Sequence, residues 1–472
     1  MGIRDELKPF FQPKSIAIIG ASGRPGTVGY VIVEQLKKKF KGKIYPVNPK
    51  YNEILGLKTY PSILDIPDKV DLAVIALRAP LVPKVMEEVG HKGVRATIVV
   101  SGGFSEIGGE GVELEKKLSD IARKYGIRVI GPNCIGVLDN TTGVDTFFLP
   151  EDRLKRPPKG HISIISQSGA MLSMWIDWMA LKGMGLSKAI SYGNKVDVDD
   201  IDLLEYLRED EETKIILMYI EAFKPNRGSK FVEVAKKIAL EGKPIVVLKG
   251  GRTSKGVRAA ASHTGAMAAG YEVYKVAFKQ AGVIEVDTMD EMFDVAKAYL
   301  MIGPVYGKRI LILTNAGGEG VIATDFAERY GLEVPELPIE VQQELRKKLP
   351  PHVIVRNPVD LTGDTDDERY RIVLEELLPR KLFDAVIVIT PPHPPSIKGI
   401  VVDYVVNAWK KYKVPMVAVV TGGAIAEEHA RKFEEKGIPA YQTPERAARV
   451  IAALAEYGVF LRKHGIQPKV KE

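Results

Sequence analysis

Several segments of the 472-residue sequence carry residues able to do chemistry on an anion. Ser262-His263-Thr264-Gly265-Ala266 follows the basic, glycine-bearing stretch 249–258, which can move and can attract negative charge. An imidazole there could act as a nucleophile or proton carrier, although a loop histidine by itself usually has no such task. Glu221 ends the apolar run Ile215–Ile220. A carboxylate at the end of a buried parallel strand sits where active sites form, and a solvated strand end would explain it equally. Ser166-Gln167-Ser168-Gly169-Ala170 follows the run Ile162–Ile165 and opens a helix over 171–181. Its hydroxyls and free N–H groups suit a phosphate or oxyanion, or the serines simply cap the helix. Thr314-Asn315-Ala316-Gly317-Gly318-Glu319-Gly320 repeats the design after Ile310–Leu313. Two such cradles could face one anion.

A third glycine turn lies near the start. The run Ser15–Ile19 leads into Gly20-Ala21-Ser22-Gly23-Arg24-Pro25-Gly26-Thr27 and then a helix, Val28–Lys39. Glycines there let backbone N–H groups approach a phosphate at a positive helix end. A nicotinamide dinucleotide is the default occupant, but it calls for an acidic residue at the end of the second strand. That strand instead ends Pro46-Val47-Asn48-Pro49-Lys50. A lysine offers a ribose diol no acceptor and attracts an added phosphate, so coenzyme A is expected, with NADP second and an unliganded turn the bland alternative. Ser101-Gly102-Gly103 and Asn133 follow later strands on the same sheet edge. The expected cofactor contacts are therefore Gly20, Ser22, Gly23, Arg24, Gly26, Lys50, Ser101, Gly102 and Asn133.

Short apolar runs alternate with helical periods along the whole chain, which predicts parallel sheets wound on both faces. The length accommodates about three domains. A loop rich in Pro, Lys and Arg at 154–160 and the stretch 304–308 divide the runs into three Rossmann-like or flavodoxin-like α/β domains, 1–150, 151–303 and 304–472. Apolar residues make up 45% and charged residues 27%, which excludes global disorder. The excess of 67 basic over 60 acidic residues is spread out and lacks an aromatic-basic stripe, so it suits a small anionic ligand and not nucleic acid. The single cysteine, Cys134, excludes a disulfide framework and reads as a small buried hydrophobe. No apolar run reaches the roughly 20 residues that span a bilayer, and the N-terminus lacks a secretion signal, so a cytoplasmic protein without membrane contact is expected. The other six histidines show no metal-ligand spacing, and no metal site is expected; His161 and His393 are noted for sitting near turns.

The order glycine loop, Gly-Pro-Asn-Cys, Ser-Gln-Ser-Gly-Ala, Tyr-Ile-Glu and Ser-His-Thr-Gly-Ala resembles the nucleoside-diphosphate-forming acyl-CoA synthetases, the superfamily of succinyl-CoA synthetase. The resemblance extends over essentially the whole chain and is nearest to the α subunits of archaeal ADP-forming acetyl-CoA synthetases. It implies an acid–CoA ligase that turns acyl-CoA, ADP and phosphate into acid, ATP and CoA through an acyl phosphate. By the same resemblance His263 is a phosphohistidine and Glu221 holds its ring. Ser166, Gln167, Ser168 and Gly169 match one phosphate-binding helix, and Asn315, Gly317 and Gly318 the second. In succinyl-CoA synthetase the second helix lies on the other subunit, so the domain order departs from that enzyme. No Gly-x4-Gly-Lys-Ser/Thr loop occurs. The resemblance puts ADP and magnesium on an ATP-grasp β subunit, in an α2β2 heterotetramer, with a small carboxylic acid as substrate. Two other readings stand beside it: a non-catalytic acyl-CoA-binding regulatory module, and an NADP-dependent dehydrogenase. The first fits family members that lack the histidine and carry a transferase domain; the second leaves His263, Glu221 and both cradles idle.

Overall fold

A computed structural model describes residues 2–258 and 270–467, and the chain divides into two compact units, Met1–Asp287 and Thr288–Glu472. The first unit contains two large sheets and the short antiparallel pair Glu53–Ile54 and Leu57–Lys58. In one, five parallel strands lie in the order Lys43–Val47, Ser15–Ile19, Leu72–Ile75, Ala96–Val99, Arg128–Ile130. Ser15–Ile19 and Leu72–Ile75 are buried at every position, as expected where helices cover both faces of a parallel sheet.

The other sheet of this unit runs Ile284–Val286, Ile245–Lys249, Ile215–Ile220, Lys159–Ser166, Leu186–Ser191, Gly136–Asp139, Val144–Asp145. Its last two strands pair antiparallel. They fall within the expected first domain, 1–150, yet they belong to the second sheet. Gly136–Asp139 pairs by its backbone along Leu186–Ser191; buried Lys188 meets Asp139 at 3.6 Å and Asp210 at 2.9 Å, and the Arg156 side chain meets Asp145 at 2.8 Å. The two sheets also share a packed layer, in which Phe11 stacks on Tyr206 with centroids 4.4 Å apart. Arg128 adds ion pairs to Asp197 at 2.8 Å and Asp202 at 2.7 Å.

The second unit holds one six-stranded sheet, ordered Ile354–Val355, Val359–Asp360, Ile310–Thr314, Ala385–Ile389, Met416–Val419, Ala440–Tyr441. Helix Met289–Ile302 belongs to this unit. Asp294 of that helix accepts two hydrogen bonds of 2.7 Å from Arg446, and Lys297 reaches Glu434 at 2.6 Å.

One pattern governs all three sheets. The parallel strands of each, numbered by their order in the chain, lie 2-1-3-4-5, so each sheet has a single switch point between its first and third parallel strands. Crevices at the carboxyl ends of those two strands are where α/β sheets take ligands. Among the described residues no helix is long and apolar enough to cross a membrane, and no cluster of His, Cys, Asp and Glu could hold a metal ion.

Candidate functional site

The switch point of the first sheet lies between Ser15–Ile19 and Leu72–Ile75, and the glycine loop leaves from it. Gly20 has φ of +91°, and a Cβ there would overlap the Ala76 carbonyl oxygen. Gly29, in the first turn of helix Val28–Lys39, lies so close to the Gly20 carbonyl that no side chain fits between them. The helix start is thereby drawn onto the strand end, with the N–H groups of its first turn at the loop. Thr27 makes no side-chain cap, while Ser22 Oγ accepts from the Arg24 N–H at 3.1 Å. Gly23, Arg24 and Gly26 are exposed along this loop. Asn48 Nδ2 donates to the Ala21 carbonyl at 2.7 Å and Asn48 Oδ1 accepts from the Lys50 N–H at 2.9 Å. This fixes the end of the second strand against the loop and leaves Lys50 exposed.

Ser101, Gly102 and Asn133 come to the same edge. The Asn133 N–H donates to the Ser101 carbonyl at 2.8 Å, and Ser101 Oγ is buried without a hydrogen-bond partner. Asn133 Nδ2 reaches Asn194 Oδ1 at 3.3 Å, and Asn194 Nδ2 donates to Glu106 at 2.6 Å and Glu115 at 2.8 Å. Burial works to raise the Glu106 carboxyl, but the bonds from Asn194 and the Gly103 and Phe104 N–H groups outweigh it and hold it below the usual range. Asn194 carries no signal in the sequence, because its meeting with Glu106 depends on packing between the two sheets. Cys134 is buried, and that burial pushes its thiol up to about 12. It is an inert core residue.

The second sheet's switch point lies between Lys159–Ser166 and Ile215–Ile220, whose next residues are Gln167 and Glu221. Gln167 is buried, and its Oε1 accepts from the Glu221 N–H at 2.9 Å and the Ala222 N–H at 3.3 Å. Ser166 Oγ donates to the Ser168 carbonyl at 2.7 Å. Ser168 caps helix Gly169–Leu181, its Oγ accepting from the Met171 N–H at 3.3 Å. Capping therefore occupies the lone-pair side of Ser168 and leaves its proton available. Glu221 is only 5% exposed, and the Tyr219 hydroxyl donates to its Oε1 at 3.2 Å.

Two buried lysines complete this edge. Lys249, the last residue of Ile245–Lys249, donates to the Glu221 carbonyl at 2.6 Å and also to the Gly250 carbonyl. Burial lowers its ammonium to about 8, against the pull of Glu221, and its Nζ lies 4.5 Å from the Tyr274 ring centre. Lys195 donates to the Ala222 carbonyl and pairs with Asp200 at 3.1 Å. The backbone on either side of Glu221 is thus held by a glutamine and two ammonium groups. A sequence signal for Lys249 did exist, since it ends its strand next to the strand that Glu221 ends. The loop it begins carries Arg252, which pairs with Glu285 at 3.1 Å and with Asp287. His263 lies outside the described residues.

In the second unit the switch point lies between Ile310–Thr314 and Ala385–Ile389, whose next residues are Asn315 and Thr390. Helix Gly317–Arg329 starts there, with Ala316 in the cap position and no side-chain cap. Asn315 Nδ2 donates to the Pro391 carbonyl at 3.4 Å, while Asn315 Oδ1 has no hydrogen-bond partner among the described residues. Gly317 lies against Asp360 and Gly318 opens on free space. Glu319 Oε2 is likewise buried without a hydrogen-bond partner among the described residues, and buried Thr390 lies beside the Tyr370 hydroxyl. The imidazole of His393 lies against Gly422. A cavity of about 880 Å³ in the first unit, lined by Asp71, Arg95, Arg128 and Asp197, lies away from these carboxyl edges.

Known proteins share this arrangement. Residues 14–140 match the CoA binding domain, 159–299 the succinyl-CoA ligase like flavodoxin domain, and 310–460 the ligase-CoA domain. The α subunit of acetate–CoA ligase [ADP-forming] I from Pyrococcus furiosus is 42% identical over 97% of this chain and 99% of its own. Acetate–CoA ligase [ADP-forming] I from Archaeoglobus fulgidus is 39% identical over 98% of this chain, which spans 65% of that longer protein. Among solved structures, the dinucleotide-forming acetyl-coenzyme A synthetase 1 of Candidatus Korarchaeum cryptofilum, in complex with phosphate and ADP, superposes with a TM-score of 0.88. It is 36% identical, over 97% of this chain and 98% of that one. The chain belongs to the family of ADP-forming acetate–CoA ligases.

Proposed function

We propose that this chain is the α subunit of an ADP-forming acyl-CoA synthetase, converting acyl-CoA, ADP and phosphate to acid, ATP and CoA. The observation that carries the reading is the second sheet's switch point. There Gln167, Lys195 and Lys249 hold Glu221 beside the phosphate-type cradle 166–169, at the root of the loop leading to His263. The glycine loop of the first sheet, with Ser22, Arg24 and Lys50 at its rim, holds CoA. Asn48 spends its side chain on the Ala21 carbonyl, so no acid stands there to receive a ribose diol. That disfavours a nicotinamide cofactor.

In the mechanism, phosphate attacks the acyl carbon and displaces CoA as a thiol, giving an acyl phosphate. N–H groups at the start of helix Gly169–Leu181 and the Ser168 hydroxyl take up charge on the phosphoryl oxygens. The phosphoryl group then passes to a ring nitrogen of His263 and releases the acid. Glu221 accepts a hydrogen bond from the other ring N–H, which fixes the tautomer and stabilises the imidazolium that forms. Phosphohistidine hands the group to ADP, which with magnesium belongs to an ATP-grasp β subunit in an α2β2 assembly. The longer relative from Archaeoglobus fulgidus has room for such a part within one chain.

Incubating the isolated chain with labelled phosphate and an acyl-CoA tests this. Acid-labile, base-stable label is expected on His263, none in His263→Ala, and labelling slowed roughly ten- to a hundredfold in Glu221→Gln, the worth of one charge-assisted hydrogen bond. Label on another residue, or full turnover in His263→Ala, sinks the mechanism.

A further inference from the structure

On the acyl-CoA synthetase reading above, acyl phosphate formation draws on two sheets at once. The acyl carbon arrives on a cofactor held at the carboxyl edge of the first, and phosphate is held at the cradle of the second. Reacting atoms must meet within about 3–3.5 Å, and a misplacement of about 1 Å can cost a hundredfold in rate. The two edges therefore have to be held in register.

One short turn touches both. Residues 192–196 follow strand Leu186–Ser191 of the second sheet and reach the end of the first. At the start of the turn the Tyr192 N–H donates to the Ser166 carbonyl at 3.2 Å, at the root of the cradle. Further on, the Asn194 N–H donates to the Pro132 carbonyl and the Val196 N–H to the Gly131 carbonyl, each at 3.0 Å. Those carbonyls lie directly past strand Arg128–Ile130. Gly193 has φ of +52°, and a Cβ there would overlap the Pro132 and Asn133 carbonyl oxygens. The Asn194 side chain accepts from Asn133 and donates to Glu106 and Glu115, which fastens it to the cofactor edge. Lys195 then reaches the other way. Its buried ammonium donates to the Ala222 carbonyl, next to Glu221, and pairs with Asp200. It does so at φ of +51°, a region that residues with a β-carbon rarely occupy. The Arg128 ion pairs join the two sheets where that residue's strand begins, and this turn joins them where it ends.

We propose that Asn194 and Lys195 are positioning residues that hold the cofactor edge in register with Glu221 and the phosphate cradle. Neither touches the reacting atoms. Asn194 sets where the thioester stands, and Lys195 sets where the carboxylate stands. The inference rests on the synthetase reading and adds to it the device that aligns its two halves.

Two phosphoryl sources separate the roles in the full chain. Labelled phosphate with acetyl-CoA uses both edges, whereas acetyl phosphate labelled in its phosphoryl group bypasses the cofactor edge. Asn194→Ala is expected to slow labelling at saturating acetyl-CoA about tenfold or more. Its rate with acetyl phosphate should stay within about twofold of wild type. Asn194→Ser, which keeps a polar group in the turn, serves the same comparison if the alanine variant does not fold. Lys195→Met acts at the Glu221 end and should slow both routes alike. CoA affinity, read by calorimetry, should stay within about threefold in each variant, which also shows that it is folded. Equal slowing of both routes by Asn194→Ala overturns the inference, since that marks a merely structural residue. So does a defect that saturating acetyl-CoA cures, no defect at all, or an acetyl phosphate rate that Lys195→Met leaves unchanged. Label from neither source in the wild type fails the synthetase reading itself.

Discussion

The carboxyl edges of the second and third sheets have the same strand order and the same glycine-bearing helix start, yet they are finished differently. At 167–222 every acceptor described has a donor: Gln167 spans to the Glu221 and Ala222 N–H groups, and two lysines hold the carbonyls of residues 221, 222 and 250. At 315–390 two buried oxygens are left over, on Asn315 and Glu319. The first edge is complete without a ligand and holds a carboxylate in place. The second keeps buried polar atoms that no described residue satisfies. A preorganised group suits chemistry, where reorganisation would cost rate, and an open set of polar atoms suits recognition, where an unmatched ligand leaves them unpaired.

Substitutions can break this contrast. Gln167→Leu takes the acceptor from two buried N–H groups at the complete edge, so urea unfolding should show a loss of roughly 2–4 kcal/mol. An unmoved midpoint would mean that the edge is held in some other way. Lys249→Met removes the donor to the Glu221 and Gly250 carbonyls and should cost about 1–3 kcal/mol. Its pH dependence is the sharper measure. Lys249 titrates at about 8 in the folded protein against 10.5 as its ordinary value, so between those limits the unfolded chain binds more protons. Wild-type stability therefore gains from Lys249 as pH rises from about 8 to 10.5, and the Lys249→Met protein should lack that rise. The smallest effect is expected at the open edge. Thr390→Val keeps the shape and deletes a buried hydroxyl beside Tyr370, whose own proton goes to the Ile389 carbonyl, so stability should hold or increase by up to about 1 kcal/mol. A clear loss would show that Thr390 is already satisfied, and the difference between the two edges would shrink.

The sequence displays the parallel core because its central strands are continuous apolar runs; Ile215–Ile220 and Ala385–Ile389 are found where their composition places them. Two-residue strands such as Val359–Asp360 and Ala440–Tyr441 escape, since they have no run to detect and exist by pairing alone. Gly136–Asp139 is obscured by the turn residues before it, and its place in the second sheet rests on backbone pairing with the distant strand Leu186–Ser191. The same limit applies at the site. Glu221, Gln167 and Asn315 are legible because each ends a strand. Lys195, which holds the Ala222 carbonyl beside Glu221, and Asn194, which meets Asn133, are set by contacts between elements distant in the chain, which no local spacing encodes.

The shared strand order also has a consequence for how the chain comes off the ribosome. In each sheet the first parallel strand to be made ends in the middle, so Ile16 must wait for both Ile44 and Leu72 before its two edges are covered. At about 5–20 residues per second the second edge stays open on the order of several seconds. The same wait recurs for Ile162 until Ile215 emerges and for Ile310 until Ala385 does. Three times during synthesis, a strand destined for a core spends this interval as a bare template for pairing. Nascent chains of this protein are therefore most exposed to chaperones, and to each other, at three predictable lengths.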